Sequence, residues 1–234
     1  MYKKQFTVDI HDIDYRGITK ISSLMRFLQS SAESQLGENK MSYDELKTAK
    51  RAFILSRITV KINSDSGVGD TLVASTYPTD SRGFTFLRCF GIERDGEQIC
   101  AATSAWALID TESRSLLRVD SFELGLELHP AHDLSLARFI LPREMNEVGI
   151  YTVGYGAIDR NRHMNNTAYP DVYLTYLPMD NIRISEITIS YRSEALMGDI
   201  LTIYMSKSED SYYFKTVKQD GTVNTEAEIK YISR

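Results

Sequence analysis

Phe6-Thr7-Val8, followed by Ile13-Asp14, returns as Tyr151-Thr152-Val153 followed by Ile158-Asp159, at an offset of 145 positions. Working outward from that pair, Ile58-Thr59-Val60 and Gly69-Asp70-Thr71-Leu72 return as Ile187-Thr188-Ile189 and Gly198-Asp199-Ile200-Leu201, at an offset of 129. Asp95-Gly96 returns as Asp220-Gly221, at an offset of 125. A single match of this length arises by chance, but several in one order with steadily falling offsets describe a tandem duplication. The fall from 145 to 129 puts 16 additional residues between the first and second strands of the first copy. That insertion belongs to the most periodic helix in the chain.

In the first copy Ile18, Ile21, Leu24, Met25, Phe27, Leu28, Ala32 and Leu36 recur at helical spacing, and Gly37 follows as a stop. In the second, the corresponding helix is shortened to Tyr169–Leu177, with Pro170 tolerated in the first turn and Pro178 as the stop. β-rich runs follow each helix: 53–62, 71–78, 84–93 and 98–110, then 183–192, 200–206, 211–218 and 223–232. Asp-Gly between two such runs is a favoured two-residue hairpin turn, so the sheets are expected to be antiparallel. Each copy then reads as α+β, a long helix with an antiparallel sheet curled around its apolar arc. From Asp110 to about Pro142 the chain is more polar and aperiodic, and contains His129, Pro130 and His132. The expected organisation is one unit over 1–110, a linker over 111–145 and a second unit over 146–234.

With 234 residues, 42% of them hydrophobic and 25% charged, the chain has material for two small cores, and neither disorder nor low complexity is indicated. A formal charge of −5 lacks the basic field a dedicated nucleic-acid binder needs. No apolar run is long enough to span a bilayer, and the start, Met1-Tyr2-Lys3-Lys4-Gln5-Phe6, resembles neither a signal nor a transit peptide. Cys89 and Cys100 have no metal-ligand spacing, read as half-buried strand residues rather than nucleophiles, and suit a reducing cytoplasm. The His129, His132 pair alone is weak support for a metal.

Gly156-Ala157-Ile158-Asp159-Arg160-Asn161-Arg162-His163 places Asp159, Asn161 and His163 at i, i+2 and i+4. In an extended segment the three would share one face over roughly 13 Å. Such alternation is by itself what any solvent-facing strand shows. The other copy separates the readings, because at the same offset Asp14, Arg16 and Ile18 stand in those places. One copy is polar where the other is structural, as expected when a duplicated unit keeps chemistry in one half. Glu194, aligned with Asp65 at the offset of 129, lies where a returning strand could bring it to that group.

Asp159-x-Asn161-x-His163-x-Asn165-Asn166-x-x-Tyr169, followed by Tyr191-Arg192-x-Glu194, resembles the signature of the fatty acyl-ACP thioesterases of plants and bacteria. Leu55-Ser56-Arg57 and Ala102-Thr103-Ser104-Ala105-Trp106 agree with it in the first copy, so the resemblance covers nearly the whole chain. It implies a tandem double hotdog with catalysis in the second unit, and assigns the catalytic Asp, Asn and His to Asp159, Asn161 and His163, with Glu194 as the acidic partner. Two positions depart from the family. Ala195 stands where plant members carry a Cys, which excludes a thiol acyl-enzyme there, and Phe53 stands where many members have Trp.

The implied reaction is hydrolysis of a fatty acyl thioester on acyl carrier protein by a directly activated water, with no metal or organic cofactor. Either Glu194 or Asp159 is the general base, His163 holds the substrate or shuttles a proton, and Asn161 orients the thioester. Backbone donors near Asn165 and Asn166 would support the oxyanion, and Phe27, Phe53 and Leu55 are candidates to line the acyl pocket. Arg160, Arg162, Arg183 and Arg192 would offer the acidic carrier a basic face. Two other readings stay open: a hotdog hydratase or dehydratase, and a non-catalytic acyl-thioester binding module. The chain is expected to act as a monomer or a homodimer.

Overall fold

The computed structural model describes residues 1–122 and 125–233. The chain divides into two compact units, Met1–Leu136 and Ala137–Arg234. The first contains β1 (Tyr2–Thr7), α1 (Ile21–Glu38), α2 (Tyr43–Thr48), β2 (Arg51–Ile62), β3 (Thr71–Arg82), β4 (Thr85–Arg94), β5 (Glu97–Asp110) and β6 (Leu116–Leu117). Its strands pair antiparallel in the order β1-β3-β4-β5-β2, with β6 beside β5.

α1 lies on β1, β3 and β4 and buries Leu24, Met25, Phe27, Leu28 and Ala32 against them. It begins three residues later than the periodicity suggests, because Thr19 is held in a bridge to Ile13. Gly37 does not stop it. The helix runs to Glu38, and the chain turns at Lys40, in the left-handed region at φ 55°. α2 is a single short helix that periodicity does not reveal. Its signal is the capping box Ser42-Tyr43-Asp44-Glu45: Glu45 N–H donates to Ser42 Oγ at 3.3 Å, and Ser42 N–H donates to Glu45 Oε2 at 2.8 Å.

Strand alternation fixes which side of this sheet faces α1. On β4 it is Phe86, Arg88, Phe90 and Ile92, since Arg88 Nη1 donates to Gln35 Oε1 on α1 at 2.6 Å. Burial lowers the Arg88 guanidinium to about 10, which still leaves a cation at neutral pH. The opposite face, with Tyr77, Cys89 and Thr103, is covered by residues 129–134. Thr103 Oγ1 donates to Leu134 O at 2.7 Å, His129 N–H donates to Pro78 O at 3.1 Å, and His132 Nε2 lies 2.9 Å from Ala102 O. The described residues of 111–136 therefore group with the first unit, where a linker over 111–145 was expected, and those of 129–134 are held by backbone and side-chain hydrogen bonds that composition does not disclose. Cys89 is fully buried rather than half-buried. Burial pushes its thiol up, but hydrogen bonding and charge from His132 outweigh this and leave it lowered. Cys100, with burial alone acting, is pushed up to about 12.

The second unit contains β7 (Asn146–Thr152), α3 (Tyr169–Leu174), β8 (Ile182–Tyr191), β9 (Ile200–Lys207), β10 (Ser211–Lys218) and β11 (Val223–Ser233). Its order is β7-β9-β10-β11-β8, the same first-third-fourth-fifth-second arrangement as the first unit. The helix is much shorter than a long hotdog helix: α3 has 6 residues against 18 in α1, and ends before Leu177. It is anchored by Tyr173, fully buried, stacked on Phe214 at 4.9 Å and hydrogen-bonded to Thr225. The two Asp-Gly turns also differ. Asp95 and Gly96 both take positive φ, 53° and 82°, as a two-residue type I′ hairpin requires. Around Gly221 the loop is four residues long, and Asp220 Oδ1 accepts from Thr222 N–H at 2.9 Å. Among the described residues no helix is long and apolar enough to cross a membrane.

Candidate active site

The duplication extends to single hydrogen bonds. In the first unit Asp14 N–H donates to Ile18 O at 2.8 Å, and Asp14 Oδ1 accepts from the amides of Arg16 and Ile18 at 2.8 and 3.1 Å. In the second, Asp159 N–H donates to His163 O at 2.9 Å, and Asp159 Oδ1 accepts from Asn161 and His163 at 2.8 and 3.3 Å. The segment 159–163 is therefore a tight turn rather than an extended wall. Polar residues at i, i+2 and i+4 read identically in both, because an Asp that caps its own turn has the same spacing as one on a strand face. With Asn161 Nδ2 on its other oxygen at 3.4 Å, the Asp159 carboxylate is engaged in holding the loop together.

A second repeated element brings the acidic partner in. Gly69 and Gly198 sit at φ 87° and 90° in matching Gly-Asp turns. Asp70 Oδ2 accepts from Gly67 N–H, and Asp199 Oδ2 accepts from Leu196 N–H, both at 2.9 Å. Asp70 is held below the usual carboxylate range, first by the Gly67 amide and then by Arg94. Thr19 N–H donates to Ser66 O at 2.8 Å, and its counterpart Met164 N–H donates to Ala195 O at 2.7 Å. This zips the 163–164 segment to 195–196, where His163 and Leu196 form a bridge.

The outcome differs between the copies only in side chains. In the second unit His163 Nε2 lies 3.3 Å from Glu194 Oε2. In the first, the corresponding residues are Ile18 and Asp65. Glu194 is thus the carboxylate that faces the imidazole. Its side chain is 59% exposed and that of His163 31%, so water reaches both. A carboxylate in this position orients the ring and supplies a proton acceptor beside it.

Three supporting roles escape a reading for chemistry. Arg162, at φ 66°, occupies the left-handed position that Gly17, at φ 78°, fills in the first unit. A non-glycine residue held there beside His163 marks a turn fixed by its surroundings. Lys218 Nζ, 3.2 Å from Asp199 Oδ2, also donates to Glu194 O at 3.3 Å, and Asn224 Nδ2 donates to Ser193 O. Together these fix the Glu194 backbone. The sequence signal was the repeated Gly-Asp, which marked the turn but not its role.

Asn165 caps a 3₁₀ turn through Asn166–Ala168, its Oδ1 accepting from Thr167 N–H and its carbonyl from Ala168 N–H, both at 2.9 Å. Those two amides are thereby occupied. Asn166 O accepts from Tyr191 Oη at 2.8 Å. Arg192 is paired with Glu226 at 2.6 Å, which reduces its part in any basic face. In the first unit Phe27 stacks on Phe6 at 4.7 Å, Leu55 is buried, and half-buried Phe53 meets Phe86 edge-on at 5.4 Å. Among the described residues no group of three His, Cys, Asp or Glu converges as a metal site.

The family model described as acyl-ACP thioesterase N-terminal domain matches residues 1–122, and that described as acyl-ACP thioesterase C-terminal domain matches 142–233. A chloroplastic dodecanoyl-[acyl-carrier-protein] hydrolase of Cinnamomum camphora is 24% identical over 223 residues, covering 86% of this chain and 58% of the relative. The chain covers 58%, 53%, 39% and 68% of the length of four curated plant relatives it matches. The crystal structure of an acyl-ACP thioesterase from Bacteroides thetaiotaomicron superposes with a TM-score of 0.91 at 20% identity, covering 98% of this chain and 97% of that one. A 12:0-ACP thioesterase from Umbellularia californica gives 0.84 at 16% identity, covering 100% and 97%. The fold is thus that of these double-hotdog proteins.

Proposed function

This chain belongs to the acyl-ACP thioesterase family, and on that premise we propose that it hydrolyses fatty acyl-ACP to free fatty acid and holo-ACP through a water activated in its second unit. The observation that carries this reading is the His163–Glu194 pair, built on a turn scaffold that the first unit repeats without those side chains. Glu194 takes a proton from water as its oxygen attacks the thioester carbonyl carbon. Glu194 passes that proton to His163 Nε2 across their 3.3 Å contact, the C–S bond of the tetrahedral adduct breaks, and His163 gives the proton to the departing thiolate. The Asn161 amide, which meets Asp159 at 3.4 Å, orients the thioester. Asp159 sets the turn that carries both.

No metal or organic cofactor enters these steps. We assign the acyl chain to the interior of the first unit, with Phe27, Phe53 and Leu55 among its candidate contacts. Arg160 and Arg162 beside the site are the cations offered to the acidic carrier. Two buried free thiols, Cys89 and Cys100, suit a reducing cytoplasm. Family membership favours hydrolysis over the hydration reading.

Thiol release from an acyl-ACP panel of graded chain length, run beside the matching acyl-CoAs, tests the assignment. The expected result is release of one thiol per fatty acid, faster from the carrier-protein thioesters. Absence of thiol release from every acyl-ACP would refute it.

A further inference from the structure

The side of the first sheet that faces α1 is largely apolar on β4, where Phe86, Phe90 and Ile92 line it. Arg88 interrupts that row, opposite Ser104 of β5, with Thr76 of β3 one step along, opposite Phe90, and Gln35 descending from α1. Arg88 lies between Phe86 and Phe90 on the same face of its strand, so a buried cation stands between two aromatic side chains.

The partners of this cation are incomplete. Nη1 donates to Gln35 Oε1 at 2.6 Å and to Thr76 Oγ1 at 2.9 Å. Both acceptors are neutral, and no carboxylate pairs with Arg88 among the described residues. The Nε and Nη2 edge, the planar fork that takes two acceptor oxygens side by side, has no hydrogen bond among the described residues. Arg88 keeps only 7% of its surface open. The unbonded edge keeps the residual contact with solvent, since among the described residues no nitrogen of Arg88 is both fully buried and without a partner, and an apolar group covering it would leave the cation without water or acceptor. Gln35 and Thr76 fix its orientation without neutralising it.

We propose that Arg88, positioned by Gln35 and Thr76, is a specificity-determining residue that binds an acceptor oxygen carried on the acyl chain. The protein then favours acyl groups bearing a hydroxyl, oxo or carboxylate function over plain alkyl chains of equal length. This rests on the reading that the first unit's interior receives the acyl chain. A plain alkyl tail reaching Arg88 would remove its residual contact with solvent and supply no acceptor. An oxygenated tail supplies one.

Two measurements separate this inference from the catalytic assignment. The first is calorimetric binding of free fatty acids to the full chain, comparing a plain acid with mid-chain hydroxy, oxo, ω-hydroxy and ω-carboxy acids of the same length. At least one oxygenated acid is expected to bind roughly tenfold to a hundredfold more tightly, the strength of a hydrogen bond to a buried charged group. Arg88→Met removes that preference. Gln35→Glu, which neutralises the cation from within and keeps the packing, reduces it.

The second is kcat/KM for the corresponding acyl-ACPs, where the same preference and the same loss are expected. If no acyl-ACP is hydrolysed, the catalytic reading fails while the binding measurement still decides the role of Arg88. Equal binding of plain and oxygenated acids by the wild-type protein, or a preference that survives in both variants, would overturn the inference.

Discussion

Glu194→Gln keeps the size and the hydrogen-bonding reach of the side chain and removes its capacity to accept a proton. The pair it disrupts is only partly buried, with side-chain exposures of 31% for His163 and 59% for Glu194 at 3.3 Å. A solvent-exposed pair of that kind contributes at most about 1 kcal/mol to stability. For a chain of this size that corresponds to a Tm change of about 2–4 °C or less. The chemical cost is of another order. Loss of a positioned general base typically lowers the rate by about 10²–10⁴-fold, or roughly 3–5 kcal/mol of barrier at ~1.4 kcal/mol per decade. The loss should fall on kcat, with KM little changed, because the role proposed for Glu194 is on the water and not on the acyl chain. Thermal unfolding and thiol release measured on the same preparation check both halves. A near-native kcat in the folded variant, or a rate loss matched by extensive unfolding, would refute the assignment of Glu194.

Asp159→Ala should behave differently, because its carboxylate holds the turn through the amides of Asn161 and His163. We expect about 1–3 kcal/mol of lost stability together with lost activity, seen as a lower unfolding midpoint in urea. Arg162→Gly relieves a left-handed backbone at φ 66° and should raise stability by roughly 1 kcal/mol, measured by the same titration. The Asp70 carboxyl is lowered by the Gly67 amide and Arg94. The unfolded chain therefore binds the extra proton, and Asp70 contributes stability above its ordinary range near pH ~3.9 that is lost as pH falls through its lower folded value. Asp70→Asn should accordingly flatten the dependence of stability on pH below about 4 in acid titrations followed by circular dichroism.

The sheets were largely legible because strand periodicity and turn residues are local signals. The run 98–110 lies within Glu97–Asp110, and 211–218 coincides with Ser211–Lys218. The duplication was legible for another reason: residues that fix turns, Asp14 with Asp159 and Asp70 with Asp199, keep one geometry in both copies. What was hidden depended on contacts between distant segments. Residues 129–134 look like linker until Leu134 and His132 are seen bonded to β5. The candidate residues could be named, yet their division of labour could not. Asp159 and Glu194 are both carboxylates near His163 in the sequence argument, and only the fold shows that one is occupied by backbone amides while the other faces the ring. Arg88 was invisible for the same reason, since alternation places it inside but cannot say what it meets.

The most direct test of the central claim is a single turnover of acyl-ACP in water enriched in ¹⁸O, followed by mass measurement of the fatty acid and of the protein. Direct hydrolysis at the His163–Glu194 pair predicts one solvent oxygen in the released carboxylate, a stoichiometric ACP thiol, and no label or acyl mass on the protein. Label or an acyl adduct on the Glu194 peptide, or solvent oxygen entering the acyl chain while the thioester stays intact, would contradict it.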